Sequence, residues 1–401
     1  MRIGLFTDQY YPYISGVVTS IKTLYEGLTA LGHEVFIFTS VDEKTIQECE
    51  DITKVNYVNL HGRAYPFKEL KDYRYAFRIK RIAKTLKSYN LDVIHIHTEF
   101  HLGKIALAAS KMYKIPVVRT LHTLYEDYLK YLSPFFDKYF HNITFNFVKR
   151  LYFTKLSKKS VINIVPTKKV LALASRYDVC GDIRVVPTGI EIERFYKSNF
   201  KEEAIAELRK SLGIPEDVFV YGYIGRTSPE KNINCILGAF SKLENHDNCV
   251  LLIVGGGPQL PILKETAEKL NISDKVIFTG FVESNKIPIY YQIPDIFVNA
   301  SKSETQGLTY IESLASSLPL LVQKDECIEE VIEDYYNGIY FDGEEELVVK
   351  MEEIKKAPTA LKNITANTQI SVQRFSKKQY AENIEKIYRD AIAIYSEKYK
   401  K

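Results

Sequence analysis

The sequence predicts an α/β protein built from two doubly wound parallel-sheet domains, and three observations carry that prediction. Short apolar runs alternate with helical patterns from the first residue. The runs are continuous Val, Ile and Leu rather than apolar–polar alternations. The whole cycle then restarts after Pro187-Thr188-Gly189. Continuous apolar strands separated by helices mark a buried parallel sheet joined by right-handed crossovers. A chain of 401 residues also exceeds what one ordinary core encloses.

In the first half, strands are expected at 2–7, 34–39, 93–97, 116–120, 161–165 and 183–186. Helical patterns fill 17–31, 68–89, 102–113, 135–157 and 168–177 between them. In the second half, strands are expected at 218–225, 250–254, 276–279, 296–299, 320–322 and 338–341, again with helices between. The boundary falls near 182–195, giving domains 1–182 and 183–376 that face a central cleft. Residues 377–398 read as one long amphipathic helix whose destination periodicity alone does not give, packing of 377–401 back on the first domain being one option.

Composition narrows the class. Hydrophobic residues make up 46% and charged residues 26%, which fits a folded enzyme and excludes a disordered chain. The five cysteines (Cys49, Cys180, Cys235, Cys249, Cys327) are dispersed without a C-x-x-C pair, which argues for reduced thiols rather than a disulfide framework. The chain enters its first strand directly, without a signal-peptide layout, and no apolar run approaches the ~18 residues of a membrane span. A cytoplasmic protein touching lipid only from its surface is expected. The net charge of +4 hides an asymmetry. Residues 1–180 hold 27 Lys/Arg against 16 Asp/Glu, a balance of +11, and the remainder holds 27 against 34, a balance of −7.

Open parallel sheets bind ligands at the carboxyl ends of their strands, so the chemistry is sought in those loops. The strand at 218–225 ends in Gly225-Arg226-Thr227-Ser228-Pro229-Glu230-Lys231-Asn232. Two cations five residues apart beside a helix start suit a diphosphate: Arg226 grips two oxygens with its fork, and Lys231 supplies a point charge. A solvated turn paired with Glu230 is the rival reading. The strand at 250–254 ends in Gly255-Gly256-Gly257-Pro258, which lets a ligand approach the backbone but does not match a G-x-G-x-x-G dinucleotide fingerprint. The strand at 296–299 leads to Glu304 and, after Gly307-Leu308, to Glu312. One carboxylate can accept hydrogen bonds from sugar hydroxyls and the other from a ribose diol. Alternate residues His95 and His97 share a strand face and invite a metal. No third ligand stands at a plausible spacing, and the metal reading is rejected.

Together these residues resemble the retaining GT-B glycosyltransferases, the family that includes phosphatidylinositol mannosyltransferases and sucrose synthases. Glu304…Glu312 resembles their E-x7-E motif, and Gly225-Arg226 with Glu230-Lys231-Asn232 resembles their diphosphate-binding segment. Val186-Pro187-Thr188-Gly189-Ile190-Glu191 is similar to their interdomain turn, departing at Thr188 and Glu191. Asp8 to Val18 is similar to their first-strand loop, where Ser15 replaces one of a glycine pair and Gly16 opens the helix. His122, in Val118-Arg119-Thr120-Leu121-His122-Thr123, matches the family histidine that touches the donor sugar. The resemblance implies catalytic roles for Glu304, His122, Arg226 and Lys231. It implies a donor site of Gly16, Arg226, Lys231, Gly255, Glu304, Gly307, Leu308 and Glu312, working without a metal or other cofactor.

The acceptor is sought in two basic, aromatic segments. Residues 63–90 hold nine Lys/Arg against two Asp/Glu, with Tyr75, Ile79, Ile82 and Leu86 at helical spacing. Residues 128–159 mix Phe135, Phe136, Tyr139, Phe140, Phe145, Phe147, Tyr152 and Phe153 with Lys149, Arg150, Lys155, Lys158 and Lys159. Both read as amphipathic helices for an anionic membrane, against the alternative that each packs its apolar stripe on the sheet. A narrower resemblance, carried by the stretches 14–20, 120–123 and 303–312, is to the bacterial diacylglycerol glucosyltransferases. It implies transfer of glucose from UDP-glucose to 1,2-diacylglycerol at the inner face of the cell membrane. The alternatives are a glycolipid or polysaccharide acceptor on the same fold, a nucleotide-sugar epimerase or phosphorylase, and an inactive membrane-binding module.

Overall fold

Parallel pairing runs through both large sheets of the computed structural model, which describes residues 1–11, 15–40, 55–60, 62–64, 74–75, 78–98, 100–122, 154–174, 176, 178–246, 248–301, 304 and 306–400. The chain divides into two compact units, Met1–Gly189 with Lys377–Lys401, and Ile190–Ser376.

The first unit contains β1 (Arg2–Phe6), β2 (Glu34–Thr39), β3 (Tyr57–Asn59), a short antiparallel pair β4 (Arg63–Ala64) and β5 (Arg74–Tyr75), then β6 (Val93–Ile96), β7 (Val117–Thr120), β8 (Ile162–Val165) and β9 (Asp182–Val185). Seven of them form a sheet in the order β3-β2-β1-β6-β7-β8-β9. The chain winds one way from β1 to β3 and the other way from β6 to β9, so the order reverses between β1 and β6. Side-chain alternation assigns the two faces. Ile3, Leu5, Val35, Ile37 and Val93 pack under the Gly16–Ala30 helix and the Lys377–Lys400 helix, with Tyr380, Ile384 and Tyr388 of the latter buried against them. Phe6, Phe38, Ile94 and Ile96 face the opposite way, under the His101–Tyr113 helix.

The helix expected at 68–89 is a correction. Arg74–Tyr75 is strand, paired with Arg63–Ala64, and the α-helix spans only Ile79–Thr85 before a 3-10 turn at Leu86–Tyr89. Its apolar stripe is used inward. Ala83 and Leu86 are buried, and Ile79 and Ile82 pack beside them on the sheet. Lys80, Arg81, Lys84 and Lys87 face solvent. The basic helix therefore keeps its cations exposed but has no free apolar face for lipid. In the second basic segment, 128–153 lies outside the described residues, and a short helix at Lys155–Ser157 follows.

The second unit holds β10 (Phe219–Ile224), β11 (Cys249–Val254), β12 (Val276–Gly280), β13 (Ile296–Asn299), β14 (Leu320–Gln323) and β15 (Gly338–Phe341), in the order β12-β11-β10-β13-β14-β15. Val220, Leu252, Val254, Phe297 and Val322 fill one face, and Tyr221, Leu251, Ile253, Ile296 and Leu321 fill the other. Both faces are buried, which is why these strands read as unbroken apolar runs. Here the order reverses between β10 and β13, and the loops that follow these two strands flank the reversal, where open α/β sheets place their ligands. Among the described residues no helix is long and apolar enough to cross a membrane.

Candidate functional site

Three strand-end loops of the second unit are knitted together by hydrogen bonds to the backbone. Gly225 N donates to Val254 O at 2.9 Å, Thr227 N to Gly256 O at 3.0 Å, and Gln259 N to Thr227 O at 3.1 Å. These bonds lay the loop after β10 against the glycine loop after β11. On the other side of β10, Ser301 Oγ reaches Glu230 O at 3.3 Å and Asn232 Nδ2 reaches Ala300 O at 3.4 Å. The loops after β10 and β13 are thereby fixed across the reversal of strand order.

That arrangement brings Lys231 and Glu304 together. Lys231 Nζ donates to Glu304 Oε1 at 2.5 Å, with the side chains 23% and 11% exposed. Seventy-three residues separate them in sequence, and only the parallel neighbourhood of β10 and β13 makes the pair. Arg226 stands apart: it is solvent-exposed, and its guanidinium has no hydrogen-bond or ion-pair partner among the described residues. Its backbone is pinned instead, because Tyr223 Oη donates to Arg226 O at 2.9 Å. A cation with no partner among the described residues, on a pinned backbone, therefore shares its loop with a paired one.

The two glutamates take different partners. Gly307 adopts φ +69° at the start of the Leu308–Ala315 helix, a conformation that favours glycine, and a Cβ there would meet the Tyr310 ring at 2.3 Å. Leu308 is the first helical residue and Glu312 lies one turn on. Tyr291 Oη donates to Glu312 Oε2 at 2.7 Å. Burial pushes the Glu312 carboxyl up to about 7, while the Tyr291 hydrogen bond and the charge of Arg194 act the other way. Tyr291 carries no signal in the sequence: it lies just before β13, and its contact with Glu312 exists only once that strand is docked.

Gly16 and His122 belong to the first unit: Gly16 follows β1, which flanks the reversal, and His122 follows β7, one strand further along the sheet. Ser15 caps the helix, its Oγ accepting from Val18 N at 3.3 Å, and Thr19 N makes the first intrahelical bond to Ser15 O at 3.0 Å. The amides of Gly16 and Val17 precede that ladder. The serine that departs from a glycine pair thus has a local function as an N-cap. Asp8, after β1, binds across to the loop after β6: its Oδ1 accepts from the amides of His101 (3.1 Å) and Leu102 (3.2 Å), and its Oδ2 accepts from Thr98 Oγ1 at 2.6 Å.

His95 and His97 are buried, and His122 is half-buried beside them in one cluster. His95 bonds Tyr388 Oη through Nδ1 at 2.8 Å and Thr120 Oγ1 through Nε2 at 2.7 Å. His97 Nδ1 lies 2.9 Å from His122 Nε2, and the two ring planes are 20° apart with centroids 5.2 Å apart, so the rings meet edge to edge. Among the described residues no group of three or more His, Cys, Asp or Glu could hold a metal ion. Burial holds His95 and His97 well below the usual imidazole range and pushes His122 down to about 4. The consequence for stability has a definite sign. An unfolded histidine takes up a proton near pH 6.5 and these folded ones do not, so stability falls as pH drops below that value. Denaturant midpoints should fall steadily from pH 7 to 5.5, by about 1–3 kcal/mol in unfolding free energy. A midpoint that stays flat over that window would contradict the desolvated cluster.

Comparison with known proteins agrees with this construction. Residues 204–371 match the family described as Glycosyl transferases group 1, and residues 14–194 match Glycosyltransferase Family 4. The chain is 38% identical over 393 residues to an alpha-monoglucosyldiacylglycerol synthase of Acholeplasma laidlawii, covering 98% of each. It is equally identical over 394 residues to the protein of that name from Streptococcus pneumoniae, covering 98% of this chain and 86% of that one. Among solved structures, Anabaena Alr3699/HepE in complex with UDP superposes with a TM-score of 0.77 at 17% identity, covering 97% of this chain and 100% of that one. The sucrose-phosphate synthase of Thermosynechococcus elongatus does so with 0.75 at 20%, covering 98% and 99%. Two parallel-sheet units of this kind, with these family matches, define a glycosyltransferase of GT-B architecture. Within that class, the chain belongs to the family of the alpha-monoglucosyldiacylglycerol synthases.

Proposed function

We propose that this enzyme moves glucose from UDP-glucose to the 3-hydroxyl of 1,2-diacylglycerol, with retention, giving an α-monoglucosyldiacylglycerol at an anionic membrane surface. The observation that carries the reading is full-length similarity to two proteins of that named activity. The geometry of the loops supports it. Arg226 stands on a pinned backbone with no side-chain partner among the described residues, and Lys231 is bonded to Glu304. With the free amides at Gly16, these groups neutralise charge growing on the departing UDP, and such electrostatic stabilisation is usually the largest contribution to catalysis in transfers of this kind. Gly255, Gly307 and Leu308 offer backbone to the donor. Glu304 orients the glucose, Glu312 receives the ribose diol, and His122 touches the sugar.

The acceptor hydroxyl attacks from the face that UDP leaves, and a donor phosphate oxygen takes its proton. No dedicated base is needed, and we read the transfer as metal-independent. Attachment to the cytoplasmic face of the membrane rests on charge. Lys80, Arg81, Lys84 and Lys87 are exposed in one stretch, and each cation near an anionic surface contributes about 1 kcal/mol. Residues 128–159 are the second contact.

The test is transfer from radiolabelled UDP-glucose, with UDP-galactose in parallel, to diacylglycerol in anionic and in neutral vesicles. A chloroform-soluble glucosyl-diacylglycerol that depends on the anionic vesicles is expected. UDP-sugar hydrolysis without a lipid product would discard the lipid acceptor, and product formed equally well on neutral vesicles would discard the charged-surface attachment.

A further inference from the structure

Both ring nitrogens of His95 are taken, one by the hydroxyl of Tyr388 and one by that of Thr120. His97 is different. Its Nδ1 meets His122 Nε2 at 2.9 Å, while its Nε2 is buried with no hydrogen-bond partner among the described residues. A neutral imidazole carries a single N–H, so two arrangements are available. If the proton sat on His97 Nε2, a buried donor would be orphaned, the rarer and costlier kind of unsatisfied group. If it sits on His97 Nδ1, it is donated to His122 Nε2, and only a lone pair is left bare. Burial keeps all three rings neutral, so a shared extra proton does not blur the choice.

The choice propagates to His122. With its Nε2 lone pair engaged by His97, the His122 proton must be on Nδ1. That nitrogen has no partner among the described residues and is not sealed from solvent. We propose that His97 is a positioning residue that locks His122 in the Nδ1–H tautomer, so that His122 presents an N–H donor to a hydroxyl oxygen of the bound glycosyl group. Unrestrained histidine favours the opposite tautomer, so this state is a distinctive property of the site. The proposal deepens the reading of His122 as the donor-sugar contact and rests on it for its kinetic consequence alone. The tautomer itself follows from the ring geometry.

The experiment joins a spectroscopic and a kinetic readout on the full chain. Nitrogen-15 spectra of histidine-labelled protein report which ring nitrogen of His122 is protonated, with His122→Asn supplying the assignment. His97→Leu removes the donor. His97→Asn restores a side-chain N–H close to the position of Nδ1. In the wild type His122 should carry its proton on Nδ1, lose that preference in His97→Leu and recover it in His97→Asn. Loss of a partner that orients a functional group costs about tenfold or more, so kcat with UDP-glucose should fall by at least that in His97→Leu, with KM for the donor little changed, and return to within about threefold in His97→Asn.

A wild-type His122 protonated on Nε2, or an unchanged tautomer in His97→Leu, would overturn the lock. A changed tautomer with unchanged kcat would remove its catalytic meaning. Should the wild type fail to transfer glucose at all, the donor reading falls, and the nitrogen spectra still decide the tautomer.

Discussion

Replacing Glu304 by alanine should lower glycosyl transfer by about 10³-fold while leaving the second unit folded, because it removes the group proposed to orient the reacting sugar rather than a piece of the core. The carboxylate is 11% exposed and bonded to Lys231 at 2.5 Å, so the variant also strands an ammonium that the loop had partly desolvated. That cost is moderate, about 1–2 kcal/mol, because Lys231 keeps 23% of its side chain in water and can re-solvate. Glu304→Gln separates the two effects. The amide oxygen still accepts from Lys231, so thermal stability should stay near that of the wild type, while transfer remains severely impaired. Lys231→Met produces the mirror image, with Glu304 losing the Lys231 ammonium and one of the cations proposed to oppose the leaving diphosphate removed. A fall of about 10²–10³ in kcat is expected there. The comparison is made by single-turnover kinetics beside thermal melts of each variant. Near-normal turnover in Glu304→Ala would remove this residue from the mechanism, and a collapse of the fold in Glu304→Gln would make its role structural.

How much of the molecule is legible in its sequence depends on whether a feature is local. The alternation of strands and helices is readable because a sheet buried on both faces forces unbroken apolar runs such as Ile296-Phe297-Val298. β3 is not, because Tyr57–Asn59 is a three-residue edge strand with a mixed composition and no periodic signal. The overlong helix at 68–89 comes from a stripe, Tyr75 to Leu86, that fits the helical period but crosses from a two-residue strand into a short helix. Periodicity cannot see that break. The same stripe suggests a lipid face, and tertiary packing claims Ile79, Ile82 and Leu86 instead.

The site divides along the same line. Arg226, Lys231, Glu304 and Glu312 stand out because charged side chains at strand ends are costly to explain as scaffold. The partners that control them do not stand out. Tyr291 reaches Glu312 across 21 residues, and His97 reaches His122 across 25. Each pairing depends on which strands become neighbours, and β6 beside β7 is a fact of topology rather than of local sequence. Strand alternation offers His95 and His97 only as metal ligands. The structure shows both rings committed within the fold, to Tyr388, Thr120 and His122.

Gly255→Ala should be the most damaging single methyl group in the second unit. Gly255 sits at φ +128°, and a Cβ built there lies 2.0 Å from the carbonyl oxygen of Gly225 and 3.0 Å from its carbonyl carbon. Those atoms are backbone, so no side-chain rotation relieves the overlap. The Gly255 amide is also engaged, donating to Gly280 O at 3.1 Å. Relief therefore requires the loop after β10 to move away from the loop after β11, carrying Arg226 with it. Gly213→Ala is the matched control, since Gly213 has φ +72° and a Cβ there meets nothing within 4 Å. It should cost about 1 kcal/mol, the strain of left-handed backbone alone. Gly255→Ala should cost about 3 kcal/mol or more, the strain being joined by the clash. Its affinity for UDP should fall at least tenfold, because Arg226, proposed to grip the diphosphate, is displaced. Denaturant titration and UDP calorimetry on the two variants decide the matter. Equal stability and equal UDP affinity for the pair would mean that the two loops do not touch as described, and the donor site would have to be built without Gly255.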